Sequence, residues 1–351
     1  MKFAFAIILA LTTTAFAQSG RNKPPEQPSS TPRPAPRNTV NYNPTQRQGE
    51  APAPTPTPKA AADSEIIKVD STLVPIPATV IDANGRTVST LRLEDFELQI
   101  NGKRVQITDL SRSESPIRLA MLFDNSSSVS IAREFEKKAA IRFFDRMIRP
   151  KIDLAALFSV ATFSRLEQPL TNNIDSLTRA VEAFPPPEGA TALLDGIIKA
   201  AEYLGEVQGR RVLVIVSDGD DTYSDSTLEQ AMRSLQVANC QVYVVKTTDF
   251  ENYVRTRSRT GNANIRQLAA ERRMLEVAMQ TGGRVYSPID EKELDEAFRQ
   301  ISAELSQQYI LSYYPDTATE KRGEFREIAL TVKNKGNLDI RTRKGYYVPQ
   351  K

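Results

Sequence analysis

The sequence predicts an α/β fold with a mostly parallel sheet, inserted in or flanked by a small β-domain formed by the N- and C-terminal segments. Two observations lead to this prediction. From about Ile117 onward, continuous apolar runs typical of buried strands alternate with segments of helical periodicity, the pattern of a parallel sheet covered on both faces. On either side of that region lie short strand-like segments with turn pairs such as Asn84-Gly85 and Asn101-Gly102.

The first 63 residues precede the predicted folded part. Residues 1–17 combine a basic start, an apolar centre, and Ala15 and Ala17 in an A-x-A pattern, which indicates a signal peptide cleaved after Ala17. Residues 18–63 hold 11 of the 22 prolines and almost no large apolar side chains, so we expect a disordered linker. No cysteine lies directly after the cleavage point, so we expect no lipid anchor there; the apolar centre is too short for a permanent membrane span, and no second long apolar run appears. We therefore expect export to the periplasm, the cell envelope or the extracellular space.

The elements of the central region follow in chain order. We predict β-strands over residues 118–123, 153–163, 211–216, 241–245 and 284–287. We predict helices over residues 131–148, 174–183, 192–204, 227–238, 265–280 and 292–307. In a sheet of this kind, ligand sites lie at the carboxyl ends of the strands.

The flanking segments are predicted to be β-structure over residues 64–115 and 309–351. Neither flank is long enough for a stable sandwich of its own, so we predict that they pair into one β-domain from which the α/β domain is inserted. Two separate small β-subdomains are the alternative. Five tyrosines of the closing strands are interpreted as core and sheet-face residues: Tyr309, Tyr313, Tyr314, Tyr346 and Tyr347.

Composition excludes several classes of function. From Ser64 onward there are 39 basic and 40 acidic residues, so the charge balance does not support a nucleic-acid-binding surface. The chain has no histidine, which removes His-dependent catalytic triads, imidazole acid–base catalysis and His zinc sites. Its one cysteine, Cys240, lies in an apolar run and is interpreted as a buried core thiol.

Three polar clusters fall where strands of the central region end. Asp124, Ser126 and Ser128 follow the first strand, Thr191 precedes a helix in "EGATALLDG", and Asp218 follows a central strand in "VSDGDDT". Taken singly, each cluster is explained as an ordinary helix cap or turn. Because adjacent strand ends meet at one edge of a parallel sheet, the clusters together offer two carboxylates and three hydroxyls. Hard oxygen ligands of this kind suit Mg²⁺, with Mn²⁺ as the alternative ion.

This arrangement resembles the von Willebrand factor type A domain and its metal-ion-dependent adhesion site. The pattern of that family is D-x-S-x-S, then a threonine and then an aspartate, which "DNSSS", "GATALLDGI" and "VIVSDGDD" match at all five positions. The resemblance implies a doubly wound, Rossmann-like α/β domain over residues 116–308. It also implies that Ser126 and Ser128 bind the metal directly, Thr191 directly or through water, and Asp124 and Asp218 largely through water.

A second resemblance covers almost all of residues 66–349. The stretches "LRLEDFELQINGK", "TGGRVYSP", "QQYILSYYP" and "RKGYYVP" are similar to those of a group of exported bacterial proteins with a related domain. The function of that group is poorly defined, so this likeness supports only the predicted domain organisation and the expectation of export.

Charged residues near the clusters have their own interpretations. Asp220 and Asp221 are interpreted as solvated turn residues, with a supporting or further cation contact as the alternative. Asp195 is expected to support the loop of Thr191 rather than bind metal. The arginine-rich residues 252–273 are interpreted as a solvated insertion before a helix, with contact to an acidic partner as the alternative.

The function that we predict is a non-enzymatic, exported binding module for adhesion or scaffolding. Its metal would capture an Asp or Glu side chain of a protein partner, and no nucleic-acid or membrane-spanning role is expected after signal cleavage. An envelope scaffold with a purely structural metal is one alternative. A metal-dependent hydrolase is another, weakened by the lack of a free general base and of a G-x-x-x-x-G-K-[ST] phosphate loop.

Overall fold

The computed structural model describes residues 73–112, 115–258, 264–316, 321–333 and 336–349. These residues belong to one compact unit. The predicted signal peptide, the predicted linker and the start of the N-terminal β segment lie outside the described residues.

The described residues form fourteen β-strands and seven α-helices. The strands are β1 Val74–Ile81, β2 Phe96–Ile100, β3 Lys103–Val105, β4 Asp109–Arg112, β5 Ile117–Asp124, β6 Leu154–Val160, β7 Ser164–Thr171, β8 Arg210–Ser217, β9 Cys240–Lys246, β10 Val285–Tyr286, β11 Tyr309–Tyr313, β12 Phe325–Val332, β13 Asp339–Thr342 and β14 Gly345–Tyr347. The helices are α1 Arg133–Met147, α2 Ile174–Glu182, α3 Leu193–Gly205, α4 Leu228–Val237, α5 Thr248–Thr256, α6 Ile265–Thr281 and α7 Glu291–Gln307.

The central sheet has the strand order β10-β9-β8-β5-β6-β7 among the described strands. β5 pairs in parallel with both β6 and β8, β8 pairs in parallel with β9, and β9 does so with β10. Only β7, at one edge, runs antiparallel to its neighbour. After β5 the chain adds β6 and β7 on one side of it and then β8, β9 and β10 on the other side, so the strand order reverses between β5 and β8. The predicted mostly parallel α/β sheet is confirmed.

Helices cover both faces of this sheet because successive strand side chains point to opposite sides. Along β5, Leu119, Met121 and Phe123 pack in one apolar core with α1, α2 and α7. Ala120 and Leu122, which alternate with them, pack in a second core with α3, α4 and α6. Cys240 is buried in that second core, as the sequence predicts.

The two flanking segments pair with each other in two antiparallel sheets. One sheet has the order β13-β1-β11-β4 and the other β14-β12-β2-β3, so each combines strands from before and after the α/β domain. A third apolar core joins them through residues such as Ile76, Phe96 and Leu311. The prediction that the flanks pair is therefore confirmed. The turn at Asn101-Gly102, with φ values of 48° and 74°, connects β2 to β3 as a tight hairpin.

Some elements differ from the prediction. The strand expected over residues 153–163 ends at Val160. Residues 164–171 form the edge strand β7, which was not predicted because its pattern is half-buried and partly polar and it contains Pro169. Helix α5 was not predicted because residues 248–256 are largely polar. Tyr309, Tyr313 and Tyr346 are buried as expected. Tyr314 follows the end of β11 and is 56% exposed, so its interpretation as a core or sheet-face residue is wrong.

Candidate metal centre

The first part of the site lies at the carboxyl end of β5. Asp124 ends this strand with no exposed surface, and its Oδ1 accepts a 2.9 Å hydrogen bond from the backbone N–H of Ser126. The hydroxyl oxygens of Ser126 and Ser128 are 3.0 Å apart, Ser126 being buried and Ser128 exposed. This loop therefore places one carboxylate and two hydroxyls close together, from the protein interior to the surface.

The second part lies at the end of the neighbouring strand β8. The Ser217 hydroxyl donates a 2.6 Å hydrogen bond to Oδ2 of Asp124 and accepts a 2.9 Å bond from the N–H of Gly219. Asp218 follows directly, and its Oδ1 accepts a bond of 2.9 Å from the N–H of Asp220. The Ser128 side chain lies close enough to the Asp218 carboxylate to favour its anionic form, so the two loops face each other.

The loop that carries Thr191 is bonded to both of the others. The carbonyl of Gly189 accepts bonds from the N–H and the hydroxyl of Ser127, at 3.3 and 2.6 Å. The carbonyl of Thr191 accepts bonds from the N–H groups of Thr222 and Tyr223, at 2.9 and 3.0 Å, and Thr191 itself is buried. Main-chain bonds thus hold Thr191 in a loop between those of Ser127 and Thr222.

The structure brings the five residues that the sequence selected to one edge of the sheet. Asp124, Ser126, Ser128 and Asp218 are connected by side-chain hydrogen bonds and by charge. Thr191 reaches the same edge through the main chain of its loop. This edge lies where the strand order reverses between β5 and β8, which is where ligand sites form in open α/β sheets.

Negative charge is concentrated in this site. Burial, and then the nearby carboxylate of Asp218, raise the pKa of Asp124 above its usual range. Burial likewise raises the pKa of Asp218. Burial and mutual repulsion make the anionic forms of these two carboxylates unfavourable. A bound cation would stabilise both as anions, so the electrostatics of the site fit a metal ion.

Two further acidic side chains lie buried behind the site. Glu136 of α1 is 1% exposed; among the described residues neither of its carboxylate oxygens accepts a well-formed hydrogen bond, and the nearby Thr247 side chain lowers its pKa only in part. Burial and then the charge of Asp124 raise its pKa well above the usual value. Burial and then the charge of Asp218 raise the pKa of Glu251, in α5, to about 7. The cluster of buried carboxyl groups therefore extends beyond the five predicted residues.

The structure corrects the interpretations of the nearby aspartates. Asp221 is not a solvated turn residue, because its Oδ1 accepts bonds from the N–H groups of Leu193 and Leu194 and caps α3 from another loop. Asp220 pairs with Arg266, with 2.7 Å between Oδ2 and Nη2. Asp195 supports a different loop from the predicted loop of Thr191. Its carboxylate accepts bonds from the N–H groups of Asp225 and Ser226, which follow the Asp218 loop in the chain.

The arginine-rich segment is largely helical rather than a loose insertion. Its described part falls in α5 and α6, and Arg266 and Arg273 of α6 both face Asp220. Arg259 lies outside the described residues. The segment therefore borders the loop of Asp218.

Sequence patterns did not reveal Ser217, Glu136 or Glu251 as parts of this region. Ser217 ends an apolar strand, and a small polar residue there is as typical of a turn as of a site. Glu136 stands among charged residues in α1, where a surface position was the natural expectation. Glu136 is buried because α1 packs against α5: the rings of Phe135 in α1 and Phe250 in α5 stack with their centroids 4.1 Å apart.

The donor atoms determine which ion the site suits. Among the described residues, no three Asp, Glu, His or Cys side chains are arranged to hold a metal together. A cation here depends on hydroxyl oxygens together with two carboxylates, a set of hard donors that suits Mg²⁺ or Mn²⁺ and not thiolate-seeking metals. The residues present fit such an ion.

The fold and this site define an α/β domain that carries a cluster of oxygen donors at the switch point of its sheet. The sequence profile of the von Willebrand factor type A domain matches residues 119–300, and the chain belongs to this family. Members of the family are mostly non-enzymatic modules for adhesion or scaffolding that bind protein partners.

Several solved structures are similar to this chain at low identity. An aerotolerance-related membrane protein from Bacteroides fragilis is 20% identical with a TM-score of 0.41, over 54% of this chain and 98% of its own. The protein BatB from Bacteroides thetaiotaomicron is 14% identical with a TM-score of 0.42, over 53% and 97%. A von Willebrand factor type A protein from Catenulispora acidiphila is 11% identical with a TM-score of 0.44, over 81% and 76%. These similarities concern the fold alone.

A search of curated proteins found none that matches this chain. In the part of the chain that the structure describes, the helices are too short or too polar to cross a membrane.

Proposed function

We propose that the chain is an exported, divalent-cation-dependent protein-binding module. Asp124, Ser126, Ser128, Thr191 and Asp218 hold Mg²⁺, or Mn²⁺, and the ion captures an Asp or Glu side chain of a partner protein. Export is proposed from the N-terminal sequence pattern. The observation on which the proposal depends is the buried Asp124 carboxylate, whose pKa is raised by burial and then by Asp218. It accepts a bond from the N–H of Ser126, whose hydroxyl lies 3.0 Å from that of Ser128.

The charges of the ligand set support capture of an outside carboxylate. Two aspartates and three neutral hydroxyls neutralise a divalent ion but leave it coordination positions, which Mg²⁺ commonly fills with water or with an external oxygen. Ser128 is exposed, so the site opens to solvent on that side. An ion placed there supplies a strong and directional attraction for a partner's acidic side chain.

Large apolar side chains around the site support a protein as the partner. Ile131 follows the serine loop and is 47% exposed, and Tyr223, bonded through its N–H to Thr191, is 56% exposed. Phe163, 70% exposed, lies in the β6–β7 turn beside Thr162, whose hydroxyl accepts a bond from the N–H of Ala190. Aromatic and aliphatic groups around a polar centre are typical of protein interfaces.

A scaffold with a purely structural metal is the second candidate, favoured by the complete burial of Asp124. A cation bound there would stabilise the fold whether or not a partner binds. The two functions differ in what the loss of the ion removes: partner binding in the first case, and stability alone in the second.

Affinity capture from a cell-envelope extract tests the proposal. Wild-type protein in Mg²⁺ is expected to retain an acidic partner, and EDTA or the double change Ser126→Ala and Ser128→Ala to release it. The matched control is Ser130→Ala, an exposed serine of the same loop, which should retain the partner. Capture that is unchanged by EDTA and by the double variant contradicts the proposal, and a fall in melting temperature without any loss of capture favours the scaffold.

A further inference from the structure

Helix α6 has an apolar face in solvent in addition to the one that it buries. Ile265, Leu268, Leu275 and Met279 have exposed fractions of 86%, 45%, 41% and 62%. The buried residues of the same helix are Ala270, Met274, Val277, Ala278 and Thr281. The outer residues are too many and too large for the scattered apolar side chains that any surface carries.

The outer residues form one stripe along the helix. At about 100° per residue, Ile265, Leu268, Leu275 and Met279 fall within an arc of about 80° on the side opposite the buried residues. Their spacings of three, seven and four residues are those of the a and d positions of a heptad repeat. We call these four residues, with Arg272 between them, the α6 stripe. Such a stripe is the surface against which a second helix packs.

Arg272 occupies the position where the repeat would place one more apolar residue. It is exposed, and among the described residues no hydrogen bond or ion pair engages it. The neighbouring Arg273 and Arg266 differ, because both face Asp220. A helix that covered the α6 stripe would remove Arg272 from water, which is costly unless a carboxylate lies opposite.

We propose that the α6 stripe is the docking site for an acidic amphipathic helix of a partner protein. The helix lays its apolar residues on Ile265, Leu268, Leu275 and Met279 and places an Asp or Glu against Arg272. The stripe is formed by residues other than the five proposed metal ligands, so this docking does not depend on a bound cation.

Two other occupants fit the charges poorly. Arg272 is the midpoint of the stripe, so a second copy packed about a two-fold axis would bring Arg272 against its own equivalent. The chain's own residues 18–63 have 11 prolines, which disfavour a helix, and their six basic against three acidic residues offer few carboxylates for Arg272. An acidic partner helix is the occupant that the stripe favours.

A labelled synthetic peptide tests the proposal on the full chain by fluorescence anisotropy. The peptide is a helix with leucine at the a and d positions, glutamate at its central a position and polar residues elsewhere. Wild-type protein is expected to bind it equally with Mg²⁺ and with EDTA, and a scrambled peptide of the same composition at least tenfold more weakly. Binding that requires Mg²⁺, or equal binding of the scrambled peptide, would overturn the proposal while leaving the proposed metal function untouched.

Variants locate the binding on the stripe. Leu268→Glu and Leu275→Gln should each weaken the peptide at least tenfold, whereas Val237→Glu, at a 56% exposed position of α4, should leave it unchanged. Arg272→Glu should bind the glutamate peptide at least tenfold more weakly and recover with a peptide that has lysine at that position. Equal effects of Leu268→Glu and Val237→Glu on peptide binding overturn the proposal. A wild-type dimer in sedimentation that Leu268→Glu dissociates also overturns it, because the occupant of the stripe would then be a second copy of the chain.

Discussion

The hydroxyl of Ser217 donates a 2.6 Å hydrogen bond to Oδ2 of Asp124, across the boundary between β8 and β5. The bond joins the two strands at which the sheet order reverses, and it orients the fully buried carboxylate at the centre of the candidate site. The same hydroxyl accepts from the N–H of Gly219, which fixes the start of the Asp218 loop. Ser217 is thus the residue that aligns the two acidic loops.

Replacing Ser217 by alanine should weaken cation binding about tenfold or more. Hydrogen bonds to charged groups contribute about 1.5–3 kcal/mol, and their loss leaves the buried Asp124 carboxylate less stable as an anion. Because this bond lowers the pKa of Asp124, the variant should also lose Mg²⁺ at a higher pH than the wild type. Calorimetric Mg²⁺ titrations at several pH values measure both effects. The same affinity and pH midpoint in the two proteins would show that Ser217 has no such role.

Cation binding should weaken as the pH falls. Burial and the neighbouring Asp218 raise the pKa of Asp124 to about 6, and only the deprotonated carboxylate attracts the ion. Affinity should therefore be nearly constant at alkaline pH and fall about tenfold per pH unit once the pH is below the pKa. Mn²⁺ titration followed by electron paramagnetic resonance from pH 8 to pH 5 checks this. An affinity that is flat across the range excludes a titrating ligand.

Replacing Glu136 by glutamine should stabilise the protein at pH 8 in EDTA. The pKa of Glu136 is raised in the folded state, so the folded chain binds this proton more tightly than the unfolded chain does. The free energy of unfolding therefore falls as the pH rises from the unfolded pKa to the folded pKa of Glu136, and this penalty disappears as the pH returns to the unfolded pKa. Urea unfolding at pH 8 and pH 5 should show the gain mainly at pH 8.

Glu304→Gln is the matched control for this buried carboxylate. Glu304 is also buried, but its Oε1 accepts a 2.6 Å bond from Nη2 of Arg341. Removing its charge should lower the free energy of unfolding by about 1–3 kcal/mol. A loss of stability in both variants would contradict the interpretation of Glu136 as an uncompensated charge.

Replacing Asp221 by alanine should lower the free energy of unfolding by about 1–2 kcal/mol. Its carboxylate caps the N-terminus of α3, where the cap residue Ala192 has no side-chain bond of its own. Since α3 begins directly after the Thr191 loop, cation affinity should fall as well. Urea denaturation and Mg²⁺ titration measure the two effects, with the exposed Asp225→Ala as control. If Asp225→Ala has effects as large, the capping role of Asp221 is wrong.

Much of the architecture was predictable because it depends on local pattern. The buried strands β5, β8 and β9 are continuous apolar runs, and helices such as α4 and α6 have caps and apolar periodicity in the sequence. Edge strand β7 and polar helix α5 escaped prediction because neither has a fully buried face. The pattern D-x-S-x-S, a threonine and an aspartate selected residues that the fold brings to one edge.

The support of the site was not predictable, because it depends on contacts between distant segments. The bond from Ser217 to Asp124 joins residues 93 positions apart, and that from Leu193 to Asp221 joins residues 28 apart. Glu136 has the sequence context of a surface residue and becomes buried only when α5 packs against α1. Such positions follow from tertiary packing, on which local periodicity gives no information.

Mn²⁺ binding to the full chain, measured by electron paramagnetic resonance, tests the central claim most directly. We expect one Mn²⁺ per chain, displaced by Mg²⁺, in the wild type and in Ser130→Ala. We expect binding at least tenfold weaker in Asp124→Ala and in the double variant Ser126→Ala and Ser128→Ala, with both variants still folded. Equal Mn²⁺ affinity in the wild type and these variants would contradict the proposal that these residues hold the cation.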